Sequence, residues 1–350
     1  MENKFFKRTL LGAAITTAAI AGSANAYEIG ENNDFGVEVY GVAAISWVHY
    51  DIDKKNEKTG VKTDGTTGYD YENESRIGFR AGKEMFDNLE VFMQVESGYV
   101  GEDGKGSTFG GRDTFVGLGG DWGKVRFGRM LTPMYEIIDW PYANPGLGAS
   151  WDWGGDVKYN YDRKGDMARY DSPAFGDFSF SLATGRGDTA TDGSNFSGAS
   201  AHYRLAEVVT FHAGLETGTK HNGTDADTFG YLLGFEASLP AGFGISGAWK
   251  SGESEEAGKT ASQDSYSVIG QYWNGPWGVK VGYTANLESD IDGDKQDDAD
   301  SIVSGQLMYV HNGFVPYVRI ANRDIRAVDT AADMIQSDIF VVRVGIEYGF

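Results

Sequence analysis

Residues 339–350 read IFVVRVGIEYGF. Taken alternately, Phe340, Val342, Val344, Ile346, Tyr348 and Phe350 fall on one side. Val341, Arg343, Gly345, Glu347 and Gly349 fall on the other. A period of two belongs to a β-strand, whose successive side chains point to opposite faces. One face is continuously apolar and the other mostly polar or glycine. WGVKVGYTANL (277–287) repeats the pattern, with Trp277, Val279, Val281, Tyr283, Ala285 and Leu287 against Lys280, Thr284 and Asn286. So do YLLGFEASL (231–239) and VEVYGVAAISW (37–47).

The same alternation predicts sixteen strands, near 36–49, 73–85, 89–100, 112–119, 123–130, 166–172, 177–186, 197–206, 208–217, 228–240, 242–254, 263–274, 276–288, 300–311, 313–324 and 338–350. The connections alternate in length. Long polar ones (50–72, 286–300, 324–338) take turns with tight ones such as Phe86-Asp87-Asn88, Leu239-Pro240-Ala241, Asn274-Gly275-Pro276 and His311-Asn312-Gly313. These carry the Gly, Pro and Asn chemistry of hairpin turns. An even strand number with long loops at one end and tight turns at the other describes a transmembrane antiparallel β-barrel. Lipid offers no partner to backbone N–H and C=O groups, so a sheet in a bilayer must close on itself. A soluble β-sandwich also alternates, but sixteen strands of about ten residues would make a very large one. A propeller would need a blade-length repeat, and none is visible.

Composition agrees. The chain opens with Lys4, Lys7 and Arg8, an apolar run from Leu10 to Ala21, and the small-residue site Ala24-Asn25-Ala26. That is the form of a secretory signal peptide over 1–26, leaving a single barrel over 27–350. The leader holds three of the 30 Lys and Arg and one of the 51 Asp and Glu, so the remainder carries 27 against 50, or −23. Such a charge excludes nucleic acid as a partner. With no cysteine, disulfides and thiolate metal sites are excluded. The 50 glycines are about twice the usual share, and Gly with aromatics is a barrel cue. No cofactor is called for.

Several motifs together carry a resemblance. NESRIGFR (73–80), RDTFVGLGGDWGKVRFGR (112–129), the terminal VGIEYGF and the leader are similar to the Gram-negative trimeric porins. GRMLTPMYEIIDWPYANPGLGASWDWGG (128–155) and YDRKGD (161–166) look like the third loop and its exit in the chitin-oligosaccharide porins of Vibrio. The resemblance implies a homotrimer in the bacterial outer membrane, among lipid and lipopolysaccharide. It also implies a third loop folded into the barrel. It assigns the sugar path to Trp140, Tyr135, Asp139, Asp152 and Trp153 on the loop, and to Glu74, Arg112, Arg163 and Glu347 on the wall. Two features depart from that family. Only YEIGENNDFG precedes the first strand, and the last long loop, AVDTAADMIQSD, has no tryptophan.

The residues speak independently. The connection 131–165 is the longest, and connections beyond about 12–15 residues are usually functional or disordered. Its Trp140, Trp151, Trp153, Tyr135 and Tyr142 argue against disorder. Displaying them in water is unfavourable, and folding into the lumen removes the difficulty. Trp140 beside Asp139 and Trp153 beside Asp152 place a flat apolar platform next to a hydrogen-bonding group, which suits a sugar. The alternative is that the tryptophans only pin the loop, the role expected of Trp151. Arg76 and Arg80 share a face opposite Ile77 and Phe79. Arginine on a lipid face costs roughly 2–4 kcal/mol at mid-membrane, so both are expected in the lumen. Arg112 is expected there too, from its odd separation from Phe115. The arginines would face the acids Glu136, Asp139 and Asp152, with Glu90, Gln94 and Glu96 adding to the polar lining.

Weaker signals remain. DIDGDKQDDAD (290–300) lacks the glycine and distal glutamate of a calcium loop and reads as a solvated extracellular loop. Arg186-Gly187-Asp188 reads as a chance tripeptide. An enzyme would need an activated nucleophile, and the five histidines are scattered. An anchor or adhesin would not need lumenal arginines. The expectation is a channel for passive uptake of hydrophilic solutes, chitin oligosaccharides among them, with non-specific diffusion of small solutes and ions as the rival.

Overall fold

The computed structural model of the chain describes residues 27–28, 36–98, 108–152, 154–328 and 334–350, with side chains from Gly36 onward except at Val328. Sixteen long strands pair in sequence, each antiparallel to the next. They are β1 (Gly36–Asn56), β2 (Arg76–Phe86), β3 (Leu89–Gly98), β4 (Thr114–Gly120), β5 (Gly123–Leu131), β6 (Arg163–Asp171), β7 (Phe178–Gly185) and β8 (Asn195–Leu205). Then follow β9 (Val209–Thr219), β10 (Asp227–Ser238), β11 (Phe243–Glu256), β12 (Lys259–Asn274), β13 (Trp277–Asn286), β14 (Asp300–Tyr309), β15 (Phe314–Val328) and β16 (Met334–Gly349). β16 returns to β1, in register from Val42↔Gly349 to Asn56↔Ile335. The terminal Phe350 completes the seam: Gly41 N–H donates to its carbonyl at 3.0 Å, and its own N–H donates to Gly41 O at 3.1 Å. A closed sheet leaves no edge groups unpaired, which is what hydrocarbon demands.

The distribution of side chains is the inverse of a soluble protein's. On β13, Val281 is 56% exposed, while Lys280 and Thr284 on the opposite face are 3% and 0% exposed. Along β16, Phe340, Val344, Ile346, Tyr348 and Phe350 are exposed and Val341 is buried. The apolar face is therefore the outside of the barrel and the polar face its interior.

Tight turns join β2 to β3, β10 to β11, β12 to β13 and β14 to β15 at one end. In the last of these, Asn312 and Gly313 both take positive φ (48° and 77°), as a twist-matched hairpin turn requires. The other end differs from expectation in that its connections are partly sheet. β1 runs on to Asn56, and the short strands Lys62–Thr66 and Asp70–Asn73 fold back along it. β15 and β16 continue as a ribbon past the expected limits of 324 and 338. Once clear of the bilayer these segments keep their ladder bonds, and polar alternation alone hides that from sequence.

Between β5 and β6 the connection is residues 132–162, a little shorter than the expected 131–165, and it contains two helices. α1 (Pro133–Asp139) starts on Thr132, whose side chain accepts the Tyr135 N–H, with Pro133 in the first turn. α2 is the single turn Gly148–Trp151. Met134, Ile137, Ile138, Tyr142, Leu147 and Trp151 pack on inward residues of the wall, including Leu232, Ala248 and Ile269. The wall also takes up the loop's carbonyls. Ser267 Oγ donates to Tyr142 O at 2.7 Å, Asn286 Nδ2 to Ser150 O at 3.0 Å, and Lys250 Nζ to Trp151 O. Wall side chains likewise accept its N–H groups, Gly155 to Asp300 and Asp156 to Gln263. The loop thus lies inside the barrel against the β8–β14 side. Inner-face glycines make room for it: a Cβ on Gly252 would stand 2.3 Å from the Tyr159 ring.

Candidate functional site

Beside the loop and across from it, the barrel interior carries arginines from β15, β16 and β2. Arg319 and Arg323 are four apart on β15, Arg319 lying between the outward Val318 and Ile320. Arg343 comes from β16, and Arg76 and Arg80 from β2. Each is braced. Arg319 Nε donates to Gln306 Oε1 at 2.7 Å, and Arg80 Nε donates to Gln94 Oε1 at 3.1 Å while lying 3.8 Å over the Tyr40 ring. Arg343 pairs with Glu72, donates to Ser46 Oγ at 3.1 Å and stands 3.9 Å from Glu74. Stacking and hydrogen bonding fix a guanidinium without neutralising it.

The expected site residues fall into two groups. Asp139, at the end of α1, is open to lumen water and lies in the field of Arg112, Arg163 and Arg76. Enclosure by the barrel raises its pKa above the usual aspartate value, and the three guanidiniums offset that only in part. Trp140, next to it, is half-buried. Its Nε1 is buried without a hydrogen-bond partner among the described residues, and Lys280 Nζ sits 4.8 Å from its ring centre. Arg76, Glu74 and Glu347 line the facing wall near Arg343 and Arg319. Asp139 and Arg76 are the pair that connects the two sides.

The others differ from expectation. Tyr135 is 4% exposed and packed in the loop's own core, so its ring holds the loop in place and is not free to line the path. Glu136 pairs with Arg169 on β6; enclosure alone would raise its pKa, but the guanidinium keeps it below the usual range. Asp152 is 9% exposed, with Oδ1 unpartnered among the described residues, and its pKa is raised by burial first and by Asp139 second. Arg163 is tied to Asp113 at 2.5 Å, and Arg112 to Glu96 at 2.5 Å. Arg112 reaches the lumen, but not for the reason expected: Phe115 points inward, packing with Met130 and Tyr161, and the outward residues of β4 are Val116 and Leu118. Aromatic character misled there, because this inner wall also carries apolar patches under the loop. Trp153 lies outside the described residues. Trp151 is fully buried, with Nε1 donating to Ile138 O at 3.0 Å, an anchor as expected.

Two features escaped the sequence reading. Arg319 and Arg323 repeat the i, i+4 pattern of Arg76 and Arg80 and were open to the same argument. The histidines are not all scattered: the β8–β9 register sets His202 against His212, with Nδ1 atoms 2.7 Å apart, under the edge of Tyr142.

A closed barrel that is apolar outside and charged within, with a loop folded across its lumen, is a channel through a lipid membrane. The chain belongs to the Gram-negative porin family, whose sequence model matches residues 12–313. It is an outer-membrane channel. Among characterised relatives, the chitoporin of Vibrio furnissii is 50% identical over 382 aligned positions, covering 99% of this chain and all of that one. Among solved structures, the anion-selective porin from Comamonas acidovorans superposes with a TM-score of 0.68 at 19% identity, over 90% of this chain and all of that one. OmpT of Vibrio cholerae superposes at 0.65 and 17% identity, over 92% and 100%. At those identities the structural likeness speaks for the fold alone.

Proposed function

We propose that this channel takes up chitin oligosaccharides by passive diffusion. The observation that carries the reading is the pairing of Trp140 and Asp139 at the end of α1, a partly exposed indole beside a carboxylate, facing Arg76 and Arg112 across the lumen. A sugar ring has apolar C–H faces and polar edges, and this pair serves both. Binding in a channel must also stay weak enough for release, and one platform with a few charged groups meets that condition. The 50% identity to a chitoporin over the whole chain supports the same reading. Asp152, Trp153, Arg163, Glu74 and Glu347 complete the proposed path, with Tyr135 and Glu136 holding the loop that carries it.

Residues 1–26 act in this reading as an export signal and 27–350 as the barrel. A homotrimer is the proposed assembly; OmpT of Vibrio cholerae, which shares the fold, is known in a trimer form. Lipopolysaccharide is the proposed outer-leaflet neighbour. The test is single-channel current in a planar bilayer with chitohexaose added. Brief blocking events are expected from the wild type and not from Trp140→Ala. Undisturbed wild-type current at millimolar sugar would leave only non-specific diffusion of small solutes.

A further inference from the structure

Beneath Trp140, toward the tight-turn end of the barrel, lies a cleft between the loop and the walls of β10–β13. Its polar lining is unusual for a place so enclosed. Lys280 is 3% exposed and makes one hydrogen bond among the described residues, to Asn144 Oδ1 at 3.2 Å, which leaves an ammonium with further donors. Glu236 enters from β10, its carboxylate 30% exposed and 3.5 Å from His212. Gln271 supplies an amide, and Ile269 with the Trp140 ring supplies an apolar surface. The sugar path as proposed uses none of the cleft's own wall residues, Glu236, Ile269, Gln271 or Lys280.

A chitin unit differs from a glucose unit by one group, the 2-acetamido. That group presents an N–H donor, a carbonyl acceptor and a methyl. The cleft holds the complement of each: a carboxylate to accept, an ammonium and an amide to donate, and an indole edge with an isoleucine for the methyl. We propose that this cleft is an acetamido-recognition subsite, formed by Trp140, Glu236, Gln271 and Lys280, through which the channel tells N-acetylated sugars from plain ones. The inference rests on the chitin reading above and adds to it the part of the sugar that is read.

The test compares chitopentaose with cellopentaose, which share the β-1,4 backbone and differ at the acetamido group. Blocking residence times are measured in planar bilayers for the wild type, Lys280→Met and Glu236→Gln. Losing one charge-assisted hydrogen bond is worth about a tenfold change. Residence of chitopentaose is therefore expected to fall about tenfold in each variant, with cellopentaose unchanged. Unaltered open-channel conductance identifies a variant whose loop is still seated. Where conductance does change in Lys280→Met, Gln271→Ala replaces it, since Gln271 makes no contact the loop depends on. A loss shared equally by both sugars, or by neither, would overturn the subsite alone. A wild type that chitopentaose never blocks would overturn the chitin reading and the subsite with it.

Discussion

Asp139 stands where the two sides of the lumen meet. Its carboxylate projects from the loop toward Arg76, Arg112 and Arg163, and enclosure raises its pKa. A raised carboxyl pKa means that, as pH falls, the negative charge is lost before an ordinary aspartate would lose it. The arginines stay charged throughout. The potassium-over-chloride permeability ratio, read from the reversal potential across a salt gradient, should therefore drop between pH 7 and pH 4. Asp139→Asn should start lower at pH 7 and change less. Equal pH responses in both proteins would place the controlling charge elsewhere. How far such residues could be read from the sequence depended on the kind of evidence. Arg76 and Arg80 were legible because a lipid face refuses them. The burial of Tyr135 and Asp152 was not legible, because the choice between lumen and loop core is made by tertiary packing, and chain position does not reveal it.

The loop and the wall behind it fit as one element. α1, α2 and the chain after them are secured by side chains from β9 to β14, and by glycines that let Tyr142 and Tyr159 lie against the sheet. Gly252→Val should force Tyr159 from its place. Overpacking of this kind costs about 1–3 kcal/mol, so the urea midpoint of the reconstituted barrel should fall and current noise should rise as the loop loosens. Gly270→Val is the control: that position faces outward on β12, and a Cβ there meets nothing within 4 Å. Identical behaviour of the two variants would mean that Tyr159 is not what Gly252 accommodates. The existence and length of this connection were plain in the sequence, as was the density of aromatic residues within it. Its two helices were not. Each is too short to show a 3.6-residue period, and Pro and Gly point toward irregular structure.

The molecule as a whole is a partition between two solvents, and that was its most legible property. A strand repeats its face rule ten or so times, so isolated exceptions such as Phe115 do not blur sixteen repeats of the pattern. The loops beyond the membrane follow no such rule, and there the structure departed furthest from expectation. The lumen is the water-filled side, and the loop sets its aperture. Because the chain has no cysteine, Asp139→Cys carries a single thiol. Adding a charged, water-soluble methanethiosulfonate while recording one channel probes whether that position borders the conduction path. The account predicts a stepwise, reagent-dependent change in current, reversed by a thiol reductant. A thiol that reacts, as confirmed by mass, yet leaves the current untouched would contradict it.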